Sequence, residues 1–341
     1  MHLTHRSQIR KSRNPRIRFL VLCLSVMWAD YENKILARFA HQAKHNDVYQ
    51  KWIAAIGVEP NHVKTISQIP FLPIQFFQTE VIKTGTWQTS HIFKSSGTQS
   101  KHRSHHHIQD VNRYLANTRR IFEQTYAPLN DMVVMALLPG YAPDSSLVAM
   151  TKHFIETSDD SLSGFYHDKD GYSDLIKNLQ QARIEAKPTL LIGVTFSLLA
   201  FAIQHKIEFP DLIVMETGGM KGRGEELTRD QVHAKISKAF GVKQVHSEYG
   251  MTELQSQAYS KSNGIFQMNQ QMFILPGDVY DPLGSGEYGQ TCRLRIIDLA
   301  NEDSCAFINT GDLGKVYSDG TFEVLGRMDH AEVRGCNLLF S

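Results

Sequence analysis

Residues 189–219 read TLLIGVTFSLLAFAIQHKIEFPDLIVMETGG, and the fold turns on how this stretch is parsed. Its two ends, TLLIGV and DLIVMETGG, are short apolar runs, the second closing on a pair of glycines. Runs of this length that are apolar nearly throughout belong to strands buried on both faces of a sheet. Between them SLLAFAIQHK, residues 197–206, reads as a helix. Strand, helix and strand in succession predict a mostly parallel sheet covered by helices on both faces.

The pattern extends in both directions. Upstream, MVVMALLP at 132–139 is a third buried run. Downstream, a helix is predicted from about Arg229 to Phe240: Thr228 and Gln231 form a capping box, Val232, Ile236 and Phe240 an apolar stripe, and Gly241 terminates it. KQVHSEYG follows as a strand ending in a turn. Near the start, Ile35, Leu36, Phe39 and Ala40, then Val48, Trp52 and Ile53, recur at spacings of three and four, which predicts a helical opening segment from Tyr31. IPFLPIQFF, Ile69 to Phe77, is too rich in proline for a helix and reads as an extended apolar connection. After Ser262 the character changes to strands and turns: GIFQMN, MFILPGDV, CRLRIID, CAFIN and KVYSDGTFEV. The last is a hairpin, with Asp319-Gly320 expected as a two-residue type I′ turn. The expected organisation is an extension over residues 1–29, an α/β core over 30–260, and a smaller β-rich subdomain with a C-terminal tail over 261–341.

The 341 residues suffice for one large or two medium domains, and a composition of 42% hydrophobic and 21% charged residues is that of an ordinary globular protein. Six arginines and lysines lie between Arg6 and Arg18, ahead of the first acidic residue, Asp30. Without those six, 30 of the 36 Lys and Arg remain against 35 Asp and Glu, a net of about −5 that removes electrostatic support for nucleic-acid binding. The basic stretch and the apolar run Phe19 to Trp28 look like the first parts of a secretory signal, but 10 residues are too few to span a bilayer. Bulky Met27, two before Ala29, also suits a cleavage site poorly. Cys23, Cys292, Cys305 and Cys336 form no CxxC pair, so a zinc ribbon or disulfide framework is not expected and a cytoplasmic location is.

Four segments carry chemistry. FKSSGTQSKHRS, Phe93 to Ser104, can wrap phosphates with backbone N–H groups and hydroxyls while Lys101 or Arg103 supplies charge; it is not a Walker loop. SEYGMTE, Ser247 to Glu253, sits beyond a buried strand, where ligands bind in open α/β sheets; Tyr249 can stack on a base and Glu253 can hold Mg²⁺. NTGDLG offers Asp312 to a diol, and LGRMDHAEVRGC offers Arg327 to a phosphate or ribose. The first three segments also read as plain turns. His102, His105, His106 and His107 lack the Cys or carboxylate spacing of a zinc site. Cys292 and Cys305, on apolar runs, read as inert core residues.

In order and spacing, the four segments resemble the core motifs of the acyl-adenylate-forming superfamily. FLPIQFF, FKSSGTQSKHRSHHHIQD, ALLPGYAPDSSLVAM, SGFY, METGGMKG, HSEYGMTE and GRMDHAEVRGC bring the chain, from about residue 30 to its end, closer to the LuxE family, the acyl-protein synthetases of the bacterial luciferase operon. The resemblance implies a large adenylate-forming domain with a mixed, mostly parallel sheet and a smaller β-rich subdomain. It implies activation of a long-chain fatty acid with ATP and Mg²⁺ as acyl-AMP, then transfer to a cysteine near the C-terminus, from which a partner acyl reductase takes the acyl group.

By position, the family's phosphate loop falls on Ser95, Ser96, Gly97, Thr98, Gln99 and Ser100, and its adenine and Mg²⁺ motif on Tyr249, Gly250, Thr252 and Glu253. Its ribose aspartate falls on Asp312, its late arginine on Arg327 and its acylated cysteine on Cys336, while Gly218 and Gly219 match a turn bordering the adenine and acyl pocket. Gln99 and Ser100 depart from the usual Thr-Gly, and the late motif is about a residue shorter. The chain stops about where the superfamily's mobile lid domain, with its catalytic lysine, would begin. Either Lys101, Arg103 or Arg327 then compensates for the missing cation, or turnover is slow. A coenzyme A ligase of the phenylacetate type, which shares a sequence like Val333-Arg334-Gly335, and a non-catalytic nucleotide- or acyl-binding subunit of a reductase complex are the alternatives.

Overall fold

The computed structural model of the chain describes residues 31–96, 103–140, 142–166, 171–218 and 227–328. In chain order the strands are β1 (Leu72–Pro73), β2 (His91–Lys94), β3 (His105–Ile108), β4 (Val133–Leu137), β5 (Gly164–Phe165), β6 (Thr189–Val194) and β7 (Ile213–Thr217). They continue with β8 (His246–Tyr249), β9 (Ala258–Ser260), β10 (Ile265–Gln267), β11 (Met272–Gly277), β12 (Thr291–Asp298), β13 (Phe307–Val316) and β14 (Thr321–Arg327).

Twelve of these strands form one sheet in the order β11-β12-β13-β14-β10-β9-β8-β7-β6-β4-β5, with β1 parallel to β13. β6 and β7, the strands of the 189–219 stretch, lie within its parallel part, where β5, β4, β6, β7 and β8 are mutually parallel. From β8 onward the pairing turns antiparallel. The change of sequence character near residue 260 therefore falls inside a continuous sheet. β2 and β3 form a separate hairpin.

Alternation along the parallel strands sorts side chains to two covered faces. Val133, Met135, Leu137, Leu191 and Val214 pack with the helices Gly171–Ile184, Thr195–Gln204 and Arg229–Phe240. Val134, Ala136, Leu190, Ile192 and Met215 pack with the helices Val111–Thr125 and Ser146–Ser158. Each fully buried Leu or Ile contributes roughly 1.5–3 kcal/mol, so this two-faced core fixes the strand register and with it the ends of β7 and β8.

The helix Arg229–Phe240 forms as its sequence dictates. The Thr228 hydroxyl accepts from the Gln231 N–H, the Gln231 side chain accepts from the Thr228 N–H, and Gly241 closes the helix at φ 69°. The opening segment is helical over 31–45 and again over Asp47–Ala55, interrupted where Asn46 caps the second helix. Two expectations are corrected. The extended reading holds for Leu72–Pro73 but not beyond, because the prolines lie ahead of Phe76–Thr79, which is free to make one helical turn. The β13–β14 loop is not type I′: Gly320 has φ 88° but Asp319 has no positive φ. The Gly320 N–H reaches the Tyr317 carbonyl and the Tyr317 N–H the Thr321 carbonyl, a three-residue loop with glycine in the left-handed position. Asp319 is held there because its Oδ1 accepts from the Thr321 N–H at 3.0 Å and hydroxyl at 2.7 Å.

Candidate active site

Tyr249 closes β8 at the carboxyl end of the parallel strands, and Asp312 lies within β13. The sequence separates them by 63 positions, yet the Tyr249 hydroxyl donates to Asp312 Oδ2 at 2.8 Å. Arg327, ending β14 opposite Asp312 in the ladder, donates through Nε to Oδ1 at 3.1 Å. Both carboxylate oxygens are thus engaged, but each keeps a lone pair for a further donor. The three partners differ in depth: Tyr249 and Asp312 are buried, whereas the Arg327 side chain is 70% exposed. A hydroxylated ligand can therefore approach Asp312 from the Arg327 side. Burial, then the Asp312 charge, raises the Tyr249 phenol well above its ordinary value, so it stays a hydrogen-bond donor.

Glu253, four residues beyond Tyr249, is also buried. Burial raises its carboxyl above the usual range, with the Ser104 hydroxyl and the Arg327 charge pulling the other way. Its ionised form is therefore short of compensating charge, which fits a site that receives a cation through oxygen. Mg²⁺ asks the protein for only one or two carboxylates beside substrate phosphates and water, so a single glutamate suffices. Gly250 lies between the two: a side chain there would run into the Glu248 carboxylate. Among the described residues, no three or more His, Cys, Asp and Glu side chains cluster to hold a metal by themselves.

The phosphate-loop candidate joins β2 to β3. Ser95 and Ser104 close its base, the Ser95 N–H donating to the Ser104 carbonyl at 3.1 Å and the Ser104 N–H to Ser95 Oγ at 2.9 Å. Ser96 is exposed beside them. Arg103 is tied down: it donates to the Ser95 carbonyl at 2.5 Å and to Asp144 Oδ2 at 3.2 Å, which leaves it poorly placed to serve as a loose cation. Gly97, Thr98, Gln99, Ser100, Lys101, Gly219 and Cys336 lie outside the described residues. Gly218 follows β7 with φ 72°. Cys292 and Cys305 are fully buried, and burial pushes the Cys305 thiol up to about 12, so neither is a nucleophile at neutral pH.

Sequence reasoning missed the scaffold beneath the 249–256 turn. Asp298, ending β12, accepts from the N–H groups of Gln255 (2.7 Å), Ser256 (3.1 Å) and Ala300 (3.1 Å) and from the Ser256 hydroxyl (2.6 Å). Asn301 donates through Nδ2 to the Glu253 carbonyl at 2.8 Å. His106 of β3 lies against the Thr252 carbonyl. The polar Asp and Asn within CRLRIIDLAN, after an apolar strand, were the only local signal.

The fold is shared with solved CoA-ligase structures. Solved structures with this fold include the open conformation of 2-hydroxyisobutyryl-CoA ligase in complex with 2-HIB-AMP and CoA, with TM-score 0.62, 14% identity, and coverage of 89% of this chain and 76% of that one. ATP-bound MatB from Rhodopseudomonas palustris matches with TM-score 0.53 and 18% identity over 71% of this chain and 49% of its own. The chain thus spans about half the length of MatB. No curated protein is significantly similar in sequence. Residues 29–341 match the family described as acyl-protein synthetase, LuxE, and the chain belongs to that family of ligases.

Proposed function

We propose that the protein activates a fatty acid with ATP as acyl-AMP and passes the acyl group to Cys336. The observation that carries this reading is the convergence of Tyr249, Asp312 and Arg327, with Glu253 in the same turn, in a chain of the acyl-protein synthetase family. In the first step a carboxylate oxygen attacks the α-phosphorus of ATP and the bond to pyrophosphate breaks. In the second the Cys336 thiolate attacks the acyl carbonyl carbon, AMP leaves, and the thiol proton passes to solvent. Asp312 accepts from the ribose hydroxyls, Tyr249 offers its ring to adenine, Gly250 and Thr252 shape the turn, and Gly218 with Gly219 border the acyl and adenine pocket. Ser95, Ser96 and the residues through Ser100 wrap phosphates, with Lys101 and Arg327 as candidate cations. Glu253 would hold Mg²⁺, which neutralises phosphate charge when bound.

Acyl-AMP is a mixed anhydride, so transfer needs chiefly a nearby nucleophile. Arg334, two positions before Cys336, would favour its thiolate. An acyl reductase is the proposed recipient, and a reducing compartment, the cytoplasm, keeps the thiol available. No helix among the described residues is long and apolar enough to cross a membrane.

ATP–pyrophosphate exchange across a panel of carboxylic acids tests the first step. Exchange that rises with a fatty acid and needs no coenzyme A supports it. Pyrophosphate release strictly dependent on coenzyme A would favour a phenylacetate-type ligase, and tight ATP binding without exchange a non-catalytic subunit.

A further inference from the structure

His106 is fully buried although its neighbours His105 and His107 are not, and its ring bridges two segments distant in sequence. Nδ1 lies 2.8 Å from the Thr252 carbonyl oxygen, 146 positions away, and Nε2 lies 3.2 Å from Asn301 Oδ1. The ring packs nearly perpendicular to that of Phe77, with centroids 5.6 Å apart. Asn301 in turn donates to the Glu253 carbonyl at 2.8 Å. Just before β3, Ser104 lies near the Glu253 carboxylate, and its hydroxyl pulls that carboxyl down against the effect of burial. β3, through His106, and the residue just before it, Ser104, thus both approach the turn.

We infer that His106 is a positioning residue that clamps the 249–253 turn to the strand leaving the phosphate loop, setting the place of Thr252 and Glu253 relative to Ser95 and Ser96. Burial holds the ring neutral by pushing the imidazole down to about 4, so it carries one N–H; the nearer acceptor, the Thr252 carbonyl, takes it, and the longer approach to Asn301 Oδ1 is then a packing contact and not a hydrogen bond. A donor is favoured because that carbonyl abuts a fully buried ring and is itself partly withdrawn from water, and an unpaired oxygen there is costly. The geometry also accounts for one histidine of the 102–107 cluster without any metal. The catalytic consequence rests on the functional reading above: if this turn holds the nucleotide and its cation, a small displacement of Glu253 lowers turnover more than it weakens ATP binding.

The test compares His106→Leu, which removes the donor, with His106→Asn, which keeps an N–H near the Nδ1 position. Hydrogen exchange of the peptide spanning residues 249–256 reads the clamp directly in the unliganded protein. His106→Leu should speed that exchange about tenfold, His106→Asn should stay within about threefold of wild type, and β6 and β7 should be unchanged in both, a tenfold change corresponding to about 1.4 kcal/mol. In pyrophosphate exchange, kcat of His106→Leu should fall about tenfold with KM for ATP within about twofold, and His106→Asn should recover most of the loss. Unchanged protection in His106→Leu, or equal loss in both variants, would overturn the inference. If wild type shows no carboxylate-dependent exchange, the functional reading fails, and the protection of 249–256 still decides the clamp.

Discussion

In the parallel half of the sheet, β4 and β6 are buried at every position and carry VVMAL and TLLIGV; in the antiparallel half, β12 and β13 bury Arg295, Asp298, Asn309, Thr310 and Asp312 at similar depth. The parallel strands have helices on both faces, and their buried carboxylates lie toward the carboxyl ends, where Glu216, Thr217, Glu248 and Tyr249 gather. The antiparallel strands retain buried polar groups because most of their polar atoms find partners: Thr310 donates to the Leu294 carbonyl at 2.7 Å, and Asp298 collects four donors. One half therefore acts as a platform and the other as a source of polar side chains. The candidate site forms where they meet, Tyr249 coming from the first and Asp312 from the second.

The difference is open to attack by mutation, most severely at Asp298. Replacing it with alanine strands four donors beneath the 249–256 turn, and unfolding in urea should show a loss of about 3 kcal/mol or more. A loss under about 1 kcal/mol would mean that the antiparallel half does not depend on its buried polar network.

On the platform side the sharpest probe is pH. Burial, and then the Glu216 charge, pushes the Glu248 carboxyl up to about 7 against the pull of the Thr217 hydroxyl. From about pH 4.5 to 7 the folded state keeps a proton that the unfolded chain has released, so stability falls as pH rises through that window, by about 3 kcal/mol for a shift of this size. Glu248→Gln should abolish that decline; parallel pH profiles for wild type and variant would contradict it.

At the junction the effects are smaller. Asp312→Ala should weaken ATP binding by roughly 1.5–3 kcal/mol, the range for hydrogen bonds to a charged group, with the fold retained. Titration calorimetry showing unchanged affinity would remove Asp312 from the nucleotide site. Tyr249→Phe, which deletes only the hydroxyl bonded to the Asp312 carboxylate, should cost about 1.5–3 kcal/mol in stability and leave the ring free to stack. A larger loss of nucleotide affinity than in Asp312→Ala would reverse the ranking of platform and polar half.

How much of this was legible depended on the range of the interactions. The capping box at Thr228 and Gln231, the glycine at 241 and the apolar runs of β4, β6 and β7 are local patterns, and they fold as read. The Asp319-Gly320 turn was placed correctly but typed wrongly, because an aspartate that bonds its own neighbour Thr321 stabilises a loop that the dipeptide alone does not specify. The motif order around Tyr249, Asp312 and Arg327 was visible through family resemblance, and the structure brings those three together. Asp298, Asn301 and His106 were not legible. Their partners lie 42, 48 and 146 positions away, and no periodicity or spacing rule reaches that far.

The most direct test of the account follows the acyl group itself. Labelled fatty acid, ATP and Mg²⁺ are incubated with the protein, which is then denatured and treated with neutral hydroxylamine. The account predicts hydroxylamine-labile label on wild type and none on Cys336→Ser, with pyrophosphate exchange the same in both. Equal thioester label on the variant, or exchange lost together with the label, would contradict it.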